Sequence, residues 1–120
     1  MRARNESLKD RLSRYRDLRI SVIGRKSGRT ISVPVWFVWE DEDLYLLPVH
    51  GSDTQWYKNV LRNPRMRIDA RGAKAEFNAV PITDAPQVSF VIDKFRAKYG
   101  ANDVRRYYSK FDVPILAQMR

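Results

Sequence analysis

Leu18-Arg19-Ile20-Ser21-Val22-Ile23-Gly24-Arg25-Lys26-Ser27-Gly28-Arg29-Thr30 decides how this chain is read. Leu18, Ile20 and Val22 alternate with Arg19 and Ser21, the period of two that marks a strand with one buried face. Residues 30–39, rich in β-branched and aromatic side chains, make a second strand. Between them lies a short basic reversal. Glycine supplies the positive φ that such a reversal needs, and Gly28 after Lys26-Ser27 stands at the bulge position of a short hairpin. Successive backbone N–H groups at such a tip can form a concave anion nest, with Arg25 and Lys26 adding charge-assisted hydrogen bonds. These residues alone leave two readings open: a clamp for phosphate or carboxylate, and a solvated hairpin whose cations aid solubility.

Outward from the hairpin, Pro34 interrupts the second strand. A proline cannot donate to a ladder, so the strand is expected to be an edge, or bulged, at that point. Glu40-Asp41-Glu42-Asp43 is a polar turn before a third strand over 44–49. Short loops join these strands, so they pair antiparallel. His50-Gly51-Ser52-Asp53 breaks the pattern and opens a helix, with Ser52 or Asp53 as N-cap. That helix carries Trp56 and Val60 four apart and ends at Asn63-Pro64. Strands follow over 66–70 and 75–82, with a turn at 71–74. Residues 85–99 place Val88, Val91, Ile92, Phe95 and Tyr99 on one helical face, closed by Gly100. Asn102 or Asp103 caps a shorter helix with Val104, Tyr107 and Tyr108, and 113–117 adds a last strand.

Upstream, residues 1–17 form a basic N-terminal segment. Within it, 7–16 reads as a helix with Leu8, Leu12 and Tyr15 in one stripe and Lys9, Arg11, Arg14 and Arg16 on the other faces. The stripe suits packing on the main body, or weak contact with a membrane surface. The whole is one α+β domain over 1–120. Its five or six antiparallel strands curl into a small barrel that removes sheet edges.

At 120 residues there is room for one core, and 43% hydrophobic with 31% charged residues describes a soluble globular chain. The absence of cysteine removes disulfides, thiol catalysis and thiolate zinc sites. His50 is the single histidine, and no spacing of carboxylates suggests a metal site. No apolar segment follows the charged N-terminus as a signal peptide would require, and no run is long enough to span a bilayer. The expected location is the cytoplasm. The net charge of +9 favours an anionic partner: nucleic acid, an anionic membrane surface or a phosphorylated cofactor.

No nucleophile–base constellation, G-x-G-x-x-G or phosphate-binding P-loop is present, so no catalytic residue is assigned. If the chain is an enzyme, a cofactor carries the chemistry. The basic hairpin and the loop His50-Gly51-Ser52, at a helix N-terminus, are the two candidate anion sites. Trp36, Trp39, Trp56 and Tyr57 offer flat apolar surface for a conjugated ring, or else they are core.

Gly24-Arg25-Lys26-Ser27-Gly28, then Pro34, then Trp56-Tyr57-Lys58-Asn59-Val60-Leu61-Arg62-Asn63-Pro64, resembles the deazaflavin (F420)-dependent nitroreductase, or F420H2-dependent quinone reductase, family. The resemblance spans residues 20–82, about half of the chain. It implies the split β-barrel fold of FMN-binding and pyridoxamine-phosphate-oxidase-like proteins. It also implies hydride transfer between coenzyme F420, or FMN, and a quinone- or nitro-type electron acceptor. By resemblance, Arg25, Lys26 and Ser27 meet the phosphate and acidic tail, while Pro34 lines the ring pocket. His50, Gly51 and Ser52 form the cofactor loop, and Trp56 and Asn59 close the site. Trp36, Tyr107 and Tyr108 border the substrate, and the barrel pairs as a homodimer. Where the family usually has a further Arg, this chain has Ile31, with Arg29 nearby. A basic nucleic-acid-binding barrel and a non-catalytic flavin-binding protein are the alternatives.

Overall fold

In the computed structural model, which describes Leu8 and residues 11–119, the reversal is a hairpin between β1 (Asp17–Ile23) and β2 (Thr30–Glu40). The two strands pair antiparallel from Asp17 opposite Trp36 to Ile23 opposite Thr30. β3 (Asp43–Leu46), β4 (Arg65–Ala70), β5 (Ala73–Pro81) and β6 (Ile115–Met119) complete a closed antiparallel barrel in the order β1-β2-β3-β6-β5-β4. α1 (Gln55–Arg62) follows a 3-10 turn at Gly51–Asp53, and α2 (Ala85–Tyr99) and α3 (Ala101–Tyr107) cross between β5 and β6. The expected α+β split barrel is the observed fold.

Alternation places the strand residues. Leu18, Ile20, Val22, Val35, Phe37, Leu44, Leu46, Met66, Ile68, Phe77 and Ile115 fill the barrel, with Trp56, Tyr57 and Val60 of α1 in the same cluster. A second cluster lies outside the barrel wall. There Val38 and Leu47 meet Val91, Phe95, Tyr99, Val104 and Tyr108, with Trp36 packed alongside. The large apolar side chains on the outward face of β2, Trp36 and Val38, therefore stand where α2 and α3 cover it.

At Pro34 the strand behaves as its missing N–H requires. Residues 30–36 of β2 pair with β1, whereas β3 takes up only Phe37 to Glu40. Pro34 thus lies where β2 has a single neighbour among the described strands.

Several boundaries differ from the sequence expectation. The third strand ends at Leu46, ahead of Pro48. The reversal between β4 and β5 is two residues, because Arg71 (φ 56) and Gly72 (φ 100) both take positive φ, as a tight hairpin turn demands. α1 has Thr54 rather than Ser52 or Asp53 at its N-cap position, since Gly51–Asp53 form their own turn. α3 begins directly after Gly100, whose φ of 92 ends α2 and turns the chain, so neither Asn102 nor Asp103 serves as its cap. In the N-terminal segment the described residues 11–14 are helical, and Leu8 and Leu12 are buried against the barrel. The rest of that expected helix lies outside the described residues.

Candidate functional site

The hairpin tip is built by its own backbone. The Gly24 N–H donates to the Arg29 carbonyl at 2.8 Å and the Gly28 N–H to the Gly24 carbonyl at 2.9 Å. Ser27 Oγ accepts from the Arg29 N–H at 3.1 Å. Gly28 takes φ +72, where a Cβ would be strained. Gly24 is needed for space instead, because a Cβ there would lie 2.7 Å from Ser27 Oγ.

Arg25 folds back from this tip onto α1. Its N–H and Nη1 both donate to Oδ1 of Asn59, at 3.1 and 2.8 Å, and its Nη2 donates to Gln55 Oε1 at 2.8 Å. Asn59 is 4% exposed, so Arg25 satisfies a buried amide oxygen and fixes the hairpin to the helix. Lys26, Ser27 and Arg29 remain exposed. The backbone N–H groups of Lys26 and Ser27 have no hydrogen-bond acceptor among the described residues. An anion at the tip would therefore meet two open amides and the cations Lys26 and Arg29, while Arg25 acts as a strut. Ile31, where the family pattern has an arginine, is 39% exposed and adds no charge.

The loop His50-Gly51-Ser52 lies beside the same helix, but its donors are taken. The Ser52 N–H donates to Asp112 Oδ1 at 3.0 Å, and Ser52 Oγ donates to Asp112 Oδ2 at 2.7 Å. Lys110 Nζ reaches Ser52 Oγ at 3.2 Å and Asp53 at 3.3 Å. Partial burial alone would push the Asp112 carboxyl up, but the Ser52 hydrogen bonds and Lys110 outweigh it and hold it below the usual carboxylate value. The anion expected at this helix start is thus the chain's own carboxylate. His50 donates its N–H to Thr54 Oγ1 at 2.8 Å, and its Nδ1 lies 2.7 Å from Ser109 Oγ. Gly51, at φ +55, leaves no room for a Cβ, which would fall 2.0 Å from Asp112 Oδ1.

Pro34 is exposed on the outer face of β2. It borders a hollow of about 330 Å3 with Asp17, Leu18, Arg19, Asp69, Arg71 and Gly72. A second hollow of about 350 Å3, nearer the hairpin, is bounded by Ser21, Ile23, Thr30, Arg65, Met66, Arg67 and Glu76. Ser21 Oγ and Ser32 Oγ, 2.7 Å apart, lie on the surface between β1 and β2.

Trp36, Tyr107 and Tyr108 do come together. The Trp36 ring stacks on Tyr99 at 4.2 Å and 8° and on Tyr107 at 4.3 Å and 26°, with Tyr108 edge-on at 5.9 Å. Tyr107 stays 41% exposed at the rim. Tyr108 is buried, and its hydroxyl has no hydrogen-bond partner among the described residues. Burial pushes the Tyr108 and Tyr99 hydroxyls well above their ordinary value. Six ladder pairs separate Trp36 from the hairpin, roughly 20 Å at the rise of a strand. Trp56 is 6% exposed within the barrel cluster, so it supports the site from the core.

Sequence reasoning missed Gln55, Tyr99 and Asp112. Tyr99 lay on a helix face already explained, Gln55 stood in the lead into the Trp56 helix, and Asp112 pairs with a residue 60 positions away. Among the described residues no group of His, Asp or Glu is arranged to hold a metal ion. No described helix is long and apolar enough to cross a membrane.

The fold recurs in solved structures. The conserved hypothetical protein Rv2991 from Mycobacterium tuberculosis superposes with TM-score 0.75 at 18% identity, over 96% of this chain and 79% of its own. HutZ, the heme storage protein from Vibrio cholerae, gives TM-score 0.71 at 16% identity, over 96% and 89%. An F420-H2 dependent reductase, FDR-A, gives TM-score 0.67 at 17% identity, over 86% and 94%. At such identities the likeness is one of fold. No curated protein matches the chain. One family model matches residues 9–113, and by that match this split barrel belongs to the family described as "Uncharacterized protein conserved in bacteria (DUF2255)".

Proposed function

We propose that the chain binds a phosphorylated flavin-type cofactor, coenzyme F420 or FMN, along the outer face of β1 and β2, as an oxidoreductase. The carrying observation is the hairpin tip, fixed to α1 through Arg25, Asn59 and Gln55, with two open amides beside Lys26 and Arg29. A preorganised nest of this kind suits a phosphate group. Once bound, the cofactor supplies hydride chemistry toward a quinone- or nitro-type acceptor. The chain's residues hold and orient it. Lys26, Ser27 and Arg29 take the anionic tail, and Pro34 presents a flat apolar contact on the way to Trp36 and Tyr107. Asn59 and Arg25 position the tip. His50, Gly51 and Ser52 support α1 with Asp112 in place of a ligand. The β1–β2 face is open on one side, and a second copy of the chain forming a homodimer would supply the missing wall.

The charge distribution favours this reading over nucleic acid. Arg67, Arg71, Lys94, Arg96 and Arg106 are each paired with a carboxylate, which takes these five cations away from phosphate contacts along a strand. Leu8 and Leu12 lie in the core, which takes the apolar stripe away from a membrane surface. The proposal carries a cytoplasmic setting with it.

Fluorescence titration with reduced F420 and with FMN tests the reading. One of them is expected to saturate below about 100 µM. Replacing Lys26 and Arg29 together by Ala is expected to weaken that binding at least about tenfold. Failure of both cofactors to bind overturns the proposal, and unchanged affinity in the double variant removes the hairpin as the tail site.

A further inference from the structure

At the end of β2 remote from the hairpin, a cleft of about 680 Å3 opens between the N-terminal helical residues, β2 and α2. Leu12, Val38, Trp39, Phe90 and Ala97 make its walls largely apolar. Lys98 enters from α2, half-buried, and donates to the Phe37 carbonyl at 2.7 Å. Its ammonium lies 3.6 Å from the centre of the Phe37 ring. One of its three donors is thus used.

No carboxylate of the described residues reaches Lys98. Glu40 on β2 is paired with Lys94, and Asp93 on α2 with Arg96 at 3.2 Å. Arg16, which precedes β1 and sits over the Tyr99 ring at 5.0 Å, adds further positive potential. With no counter-charge among the described residues, half-burial of this cation is unfavourable, and the lost solvation is regained when an anion arrives. Burial first, and Arg16 second, lower the Lys98 amine from 10.5 to about 8.

We propose that this cleft binds a small amphipathic monocarboxylate, with its apolar body against Trp39, Phe90 and Leu12 and its carboxylate on Lys98. Lys94 also lines the cleft but is paired with Glu40, so Lys98 is the cation left to meet a ligand among largely apolar walls, the usual construction of such a site. Glu40 and Asp93 also line the cleft, and their charge disfavours a ligand with a second carboxylate or a phosphate. The site stands independently of the cofactor reading.

Calorimetric titration with 3-phenylpropionate tests it, in two pH 8 buffers of different ionisation enthalpy. Saturable binding is expected, with uptake approaching about half a proton per ligand as the carboxylate draws Lys98 fully into its charged form. Its uncharged amide, and the variant Lys98→Met with native ligand, are each expected to bind at least about tenfold more weakly. Should Lys98→Met fail to fold, the amide comparison on the native chain still decides. Absence of saturation up to about 10 mM, or equal affinity for acid and amide, overturns the proposal.

Discussion

Arg25 and Lys26 are neighbours with the same charge, yet their surroundings give them different work. Arg25 donates four hydrogen bonds to α1, two of them to the buried Oδ1 of Asn59 and two to Gln55. Only the backbone bond survives truncation. Arg25→Ala is therefore expected to destabilise the fold by about 1–3 kcal/mol, the range for depriving a buried acceptor of a charged donor. Lys26→Ala, at an exposed turn position, should stay within about 0.5 kcal/mol. Chemical denaturation of both variants measures the contrast, and equal stabilities would remove the strut. Nothing in the sequence separates these two cations, because the difference comes from a helix 30 residues further on. Tyr108 poses the converse case. Its buried hydroxyl has no partner among the described residues, so Tyr108→Phe removes an unmet polar group and should leave stability unchanged or raise it by about 1 kcal/mol. A loss of more than that on thermal unfolding would reveal a partner for the hydroxyl.

The turn into α1 shows how an element can be legible in place and illegible in detail. A Gly-Ser-Asp cluster ahead of a helix announces a helix start, and the helix is there. The cap is not the expected one, because Thr54 occupies that position and the Ser52 donors go to Asp112. That carboxylate does locally what a bound anion would do. Its depressed pKa fixes the sign of a pH effect. The contribution to stability is complete above the ordinary carboxylate value of 3.8 and is lost as pH falls through the lower value of the folded state. Asp112→Asn keeps the shape but forfeits the charge. Its stability deficit should be greatest near neutral pH and should shrink below about pH 4, by Tm measured across pH 3–7. A deficit that does not change with pH would mean that charge at Asp112 is irrelevant. Gly51 belongs to the same element, and its need for both positive φ and empty space could not be seen without Asp112 beside it.

Across the molecule, period-two alternation was enough to find the strands, and their number with short connections implied closure. What alternation cannot express is a strand that buries both faces. β2 does so at its C-terminal half, where Phe37 points into the barrel while Trp36 and Val38 face α2 and α3. Tyr99 joins the two clusters at that point. Its hydroxyl accepts from the Phe37 N–H at 3.0 Å, and its proton serves the carbonyls of Arg16 at 2.5 Å and Phe37 at 2.8 Å. The sequence marked Tyr99 as one more apolar residue on the α2 stripe, and its hydroxyl finds partners 62 and 83 positions away. Tyr99→Phe keeps the ring against Trp36 and removes only this junction. The expected loss is about 1–3 kcal/mol, since an N–H and two carbonyls at the seam lose a partner together. Because the junction couples barrel to helices, the variant should also unfold less cooperatively. Trp36 lies in the helical cluster, so its fluorescence, read in a background with Trp39→Phe and Trp56→Phe, follows that layer while far-ultraviolet circular dichroism follows the whole. The two transitions should coincide with Tyr99 in place and separate in Tyr99→Phe. Coincident transitions in the variant would mean that packing alone, with Trp36 and Phe95 against the Tyr99 ring, holds the layers as one unit.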